Sequence, residues 1–205
     1  MAGEGRSYRD AGRLAKWAQW LLRIEAALSV LAILMVWMRG FEPQEAGPLE
    51  AGLLLLQTVL FMVLAAVTLR WIYLANANAR ALGATDMMVS PGWAVGWFFV
   101  PLMNLFMPYV MMRELWKASA KPSDWQMEPA PAAILLWWVL WVAAGVTGGI
   151  AFSLSADFGK SDAAPAEIVY IVSDLCLVPS LLLLAWLIVR IQAIQTRSLP
   201  ADVFG

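Results

Sequence analysis

Histidine is missing from this chain, and cysteine occurs once, at Cys176. The first absence removes the usual ligand for haem, zinc and copper, and the usual general base near neutral pH. The second excludes an intramolecular disulfide and any multi-cysteine metal site. Charge is scarce too: 14% of the 205 residues are Asp, Glu, Lys or Arg, against about 25% in soluble domains. The net charge is −1 and no long basic run occurs, so there is no nucleic-acid footprint. Candidate nucleophiles such as Ser29, Ser153, Ser155, Ser173, Ser180 and Cys176 have no histidine to activate them. Neither a paired acidic motif nor a glycine-rich phosphate loop appears. These absences argue against an enzyme, and no catalytic residue, metal or cofactor is expected.

What the chain does have is apolar length. Hydrophobic residues make up 61% of it, with twelve tryptophans. Four runs, at about 20–38, 51–73, 132–154 and 167–189, reach the ~20 residues that cross a ~30 Å hydrocarbon core. They predict an all-α integral membrane protein, with membrane lipid as its first partner. Residues 1–19 form a basic arm carrying Arg6, Arg9, Arg13 and Lys16, loosely ordered at Gly3 and Gly5, and 198–205 form a tail. Between them, 20–197 read as one membrane domain. Arg23 and Glu25, near the start of the first run, read as interfacial, with Arg23 snorkelling to the headgroups. In the third run, Gly145 and Gly149 have the small-xxx-small spacing that lets helices pack closely. The methionines around 87–112 read as flexible packing rather than as a copper(I) path.

The stretch from Ser90 to Ser119, SPGWAVGWFFVPLMNLFMPYVMMRELWKAS, is too broken by proline for an ordinary span and too apolar for a loop. Ser90 suits a helix N-cap and Pro91 the first turn, where its missing N–H is unpaired anyway. Pro101 and Pro108 then each remove an intrahelical hydrogen bond, with Asn104 between them. In hydrocarbon a freed carbonyl costs roughly several kcal/mol unless protein or a wet cavity satisfies it. Local sequence leaves two arrangements open, a kinked full span or a hairpin over about 91–112 that enters and leaves on one side.

Charge distinguishes them. A full crossing gives five spans, with eight basic residues on the N-terminal side and six on the other. A re-entrant hairpin gives four spans and a division of twelve against two, with Arg39 and Lys160 alone outside. Short cytoplasmic loops carry the Lys/Arg excess, so the expected fold is four transmembrane helices plus a re-entrant helical hairpin, both termini cytoplasmic.

The run SPGWAVGWFFVPLMNLFMPYVMMRELWKAS, with the preceding Trp71-Ile-Tyr73 and Asn78-x-Arg80-x-Leu82, resembles the bacterial membrane family known as domain of unknown function 4328. The resemblance is specific over about 70–119 and loose over the first, third and fourth spans. It implies a bacterial multi-span membrane protein, for which the inner membrane is the expected location, and brings no activity, substrate, cofactor or site residue.

Depth arithmetic supplies the functional expectation. At 1.5 Å per residue, Asn104 lies about 16 Å in from Trp93 and Gln57 about 9 Å in from Ala51. Asp174 lies about 10 Å in from Glu167, and Thr147 about 10 Å in from Leu154. Gln57, Asn104, Thr147 and Asp174 are therefore expected to form one polar layer against the hairpin, a cavity suited to transport or ligand binding. The alternative is an accessory or scaffolding subunit, in which these residues tie helices together within a homo-oligomer or larger membrane complex.

Overall fold

A computed structural model of the chain describes residues 7–39, 47–157 and 164–198. Gly3, Gly5, Arg6, Lys160 and the tail beyond Ser198 lie outside the described residues. Within them the fold is helical and contains no strand. Four helices are long and apolar enough to cross a membrane: α1 (Gly12–Arg39), α2 (Pro48–Ala81), α5 (Ala132–Asp157) and α6 (Ala164–Arg197). Between α2 and α5 lie two shorter ones, α3 (Pro91–Gly96) and α4 (Met107–Ala120). Large apolar side chains such as Leu54, Leu55, Met62, Phe152 and Leu175 stand exposed on the long helices. Such surfaces are stable against lipid, and the chain is a multi-pass membrane protein.

The chain divides into two compact units. The first comprises Met1–Gln19, Ala65–Leu135 and Ala185–Gly205. Its buried apolar residues include Trp71, Ile72, Met111, Met112, Leu115, Leu187, Ile188 and Ile191. Buried polar residues accompany them: Asn76, Asn78, Glu114 and Ser119 are hydrogen-bonded, whereas the Thr68 hydroxyl is not. The Asp10 carboxylate accepts the Gly12 N–H at 2.8 Å, meeting an unpaired donor where α1 starts. α2 ends at Ala81, and Gly83 turns the chain after it with a φ of +107° that suits only glycine at low cost.

After that turn the Arg80 guanidinium donates to the carbonyls of Met87 and Val89 at 3.1 and 3.0 Å. Asn76 Nδ2 also donates to Val89 O. The Glu114 carboxylate accepts the N–H of Met88 and, at 3.0 Å, that of Val89. The segment leading into α3 is thereby held from both sides by charged side chains.

The proline-rich stretch is a broken helix. The Ser90 hydroxyl accepts the Trp93 N–H, and Pro91 occupies the first turn of α3. α3 lasts six residues and tightens into a 3₁₀ turn, Trp97–Phe99. Val100 is extended (φ −101°, ψ 108°), the conformation that Pro101 imposes on the residue before it. A second 3₁₀ turn, Met103–Leu105, leads into α4, which has Pro108 in its first turn. On α4 the buried residues Pro108, Met111, Met112, Leu115, Ala118 and Ser119 recur at helical spacing, so one face packs inward. The helix ends before Pro122, with Lys121 out of the helical region (φ −145°, ψ 79°). At fourteen residues α4 is about 21 Å long, too short to cross ~30 Å alone. The two flanks of the stretch meet: Trp125 Nε1 donates to the Thr85 carbonyl at 2.8 Å.

The second unit comprises Trp20–Leu64 and Leu136–Leu184. Here α5 and α6 share a small-residue seam. Ser173 Oγ donates to Ala144 O at 2.9 Å and Ser180 Oγ to Trp137 O at 3.3 Å.

Candidate functional site

The second unit contains a cleft of about 760 Å³ lined by α1, α2 and α6. Its length follows from the helix register. Arg39 ends α1, Glu50 lies in the first turn of α2, and Glu167 lies in the first turn of α6. At this end Arg39 Nη1 donates to Glu50 Oε2 at 3.1 Å and Nη2 to Glu167 Oε1 at 2.5 Å, so one guanidinium joins three helices. Gln57 and Asp174 lie two turns further along their helices, about 10 Å by helical rise, and both line the cleft. Ser29 and Glu25 continue the lining along α1, about 15 and 21 Å from Arg39 by the same rise.

Glu25 is 5% exposed and Ser29 1%. Sequence placed Glu25 at the interface, where water would solvate it. The structure instead turns it into the cleft, with Oε2 buried and without a hydrogen-bond partner. Its neighbour in sequence, Arg23, points elsewhere, its guanidinium 5.4 Å from the Trp20 ring centroid. Tyr170, Phe61, Leu53, Ile171 and Leu177 supply aromatic and apolar wall.

Of the residues expected in one polar layer, Gln57 and Asp174 share this cleft. Thr147 is not among its lining residues, and its hydroxyl donates to Ala143 O on its own helix at 2.7 Å. Asn104 belongs to the first unit, where its Oδ1 is buried and takes no hydrogen bond. No residue of 91–112 lines the cleft. Around Gly145 and Gly149 a Cβ would meet open space, whereas at Gly148 it would lie 3.2 Å from Ser173 Oγ. The close helix approach thus falls on Ala144 and Gly148, the same four-residue spacing displaced by one position.

Sequence reasoning missed Glu25, Ser29 and the Arg39–Glu50–Glu167 junction. An intramembrane carboxylate is itself a signal, since charge at depth is costly and is retained where it works. The junction gave no such signal, because its members are separated by 11 and 128 positions.

No curated protein and no solved structure matches the chain. A family model, Domain of unknown function (DUF4328), matches residues 44–193, which is most of its length, and the chain belongs to that family.

Proposed function

We propose that this is a bacterial inner-membrane protein, with both termini cytoplasmic, that binds or passes a polar solute through the cleft of its second unit. The observation that carries the proposal is Glu25, a carboxylate nearly out of reach of solvent, facing a cavity large enough for a small molecule. Ionisable groups at membrane depth line solute and ion pathways far more often than they serve packing. The volume falls within the roughly 300–1,000 Å³ of small-molecule sites.

On this reading segment 91–112 is a re-entrant hairpin in a structural role. Two features support it: the Trp125–Thr85 hydrogen bond across its flanks, and the Glu114 carboxylate on the N–H groups that precede α3. The orientation is supported by the twelve-to-two division of basic residues. Arg23, Arg70, Arg113 and Arg190 each also stack on an aromatic ring one turn away, as headgroup-level side chains do.

Reconstitution tests the proposal. Purified protein in liposomes is expected to give solute-dependent flux, or saturable solute binding, that is lost in Asp174→Asn. Co-purification with a stable larger partner, with neither flux nor binding, would move the protein to the accessory-subunit class.

A further inference from the structure

Resting on the reading just given, we propose that the ligand of this cleft is an amphipathic organic cation, a positive nitrogen or similar centre on an apolar body, held against Glu25 and Asp174. The charge balance of the lining points that way. Glu25, Glu50, Glu167 and Asp174 line the cleft against a single basic residue, Arg39. Arg39 is already engaged by Glu50 and Glu167. Among the described residues no Lys or Arg pairs with Glu25 or Asp174. A buried carboxylate without a partner is strongly unfavourable, and a bound cation relieves it. Glu25 is such a group, 95% removed from solvent, with an oxygen that accepts nothing from the protein.

The kind of cation follows from the rest of the lining. Its polar groups are carboxylate, hydroxyl, amide and guanidinium, and its one sulfur is the Met35 thioether, with no thiolate or imidazole to complete a soft-metal site. No group of three or more acidic, cysteine or histidine residues able to hold a metal ion occurs among the described residues. A cavity of about 760 Å³ is also far larger than a bare ion fills. Leu53, Ile171 and Leu177 offer an apolar surface for the body of a ligand. Phe61 and Tyr170 offer aromatic surface of the kind that attracts quaternary ammonium groups. Acidic anchor, aromatic wall and apolar volume together match a lipophilic cation.

Charged thiol reagents test this on the full chain in nanodiscs. In a Cys176→Ser background, Gln57→Cys places one thiol in the cleft, and Ser123→Cys gives an exposed reference in the first unit. Each is treated with a trimethylammonium-ethyl methanethiosulfonate and with its sulfonate-ethyl counterpart. After normalisation to Ser123→Cys, the cationic reagent is expected to react at least about tenfold faster in the cleft, as single-sign clefts concentrate counter-charges. Adding Glu25→Gln or, in a second variant, Asp174→Asn should bring the ratio towards one. Tetraphenylphosphonium should protect Gln57→Cys, and tetraphenylborate, of similar shape and opposite charge, should not. Equal rates with the two reagents, the result expected of a protonated and neutral carboxyl pair, overturn the cation proposal while leaving a solvent-reached cleft. Protection by sodium or calcium but not by tetraphenylphosphonium overturns it in favour of an inorganic ion. If neither reagent reaches the thiol, the cleft reading itself fails.

Discussion

The side chain of Asn78 meets the backbone of Arg9 at both ends: Nδ2 donates to the Arg9 carbonyl at 2.8 Å, and Oδ1 accepts the Arg9 N–H at 2.9 Å. This pair fixes the N-terminal arm to α2 across 69 positions of sequence. Asn78 is fully buried, so truncation strands two backbone groups rather than merely deleting a contact. Asn78→Ala is expected to cost about 1–3 kcal/mol. Asn78→Asp should cost a comparable amount, since it keeps the acceptor and loses the donor. Thermal unfolding in detergent, paired with limited proteolysis near Arg9, reads both effects. An arm that stays protected in Asn78→Ala would mean that other contacts hold it.

Glu114 should behave differently from an ordinary surface acid. Its two oxygens take the N–H groups of Met88 and Val89, and the residue is 6% exposed. Glu114→Gln replaces one of the two acceptors with an NH₂ group facing an N–H, and is expected to lose about 1.5–3 kcal/mol. Asp124→Asn removes an exposed pair with Lys121 and should lose no more than about 1 kcal/mol. Similar melting temperatures for the two variants would show that Glu114 does not organise the turn before α3.

Much of the fold was legible because hydrocarbon is a strict solvent. Four apolar runs gave four helices, and Pro101 and Pro108 broke the stretch between them. The helices nevertheless extend past the apolar windows. α2 continues beyond the apolar run at 51–73 as a helical extension to Ala81, the extension that the residues from Ala75 on predict, and there Asn76, Asn78 and Arg80 find partners in Val89, Arg9 and Met87. The partner of Asn78, 69 positions away, leaves no local trace in the sequence. The same limit affected the candidate site. Helical rise put Gln57 and Asp174 at comparable depth, and they do share a cleft, but rise says nothing about which way a side chain turns. Glu25 illustrates this. Its position near a span end matched an interfacial role, and only rotation about α1 decides that it faces inward.

The hairpin can be tested by topology. Thr85 and Ser123 flank the broken stretch and are both exposed. In the Cys176→Ser background, Thr85→Cys and Ser123→Cys are expected to react with an impermeant thiol reagent from the same face of the membrane. Labelling from opposite faces would make 91–112 a full crossing and give five spans.

The junction at Arg39 sets up a double-mutant cycle. Its guanidinium separates Glu50 and Glu167, whose side chains are 24% and 18% exposed. Arg39→Gln leaves two carboxylates facing a lost cation and should destabilise by about 1–3 kcal/mol. Adding Glu50→Gln removes one of the orphaned charges, so the double variant should be more stable than the sum of the single losses predicts. Strict additivity in chemical or thermal denaturation would show that the three groups do not act as one junction.

The seam between α5 and α6 separates two glycines adjacent in sequence. A Cβ at Gly148 would lie 3.2 Å from Ser173 Oγ, while at Gly149 it would meet nothing within 4 Å. Ser173 cannot simply turn away, because its hydroxyl is spent on the Ala144 carbonyl at 2.9 Å, one turn before Gly148. A large side chain at Gly148 must therefore push the helices apart or break that bond. Gly148→Leu is expected to cost about 1–3 kcal/mol through overpacking. Gly149→Leu projects outward, where added apolar surface suits lipid, and should leave stability nearly unchanged. Gly148→Ala is the graded case, since a single methyl needs the serine to give by only a few tenths of an ångström. Detergent melting curves of the three variants should rank Gly149→Leu above Gly148→Ala and Gly148→Leu last. A reversed order, with Gly149→Leu the most damaging, would place the helix contact on the Gly145–Gly149 face instead.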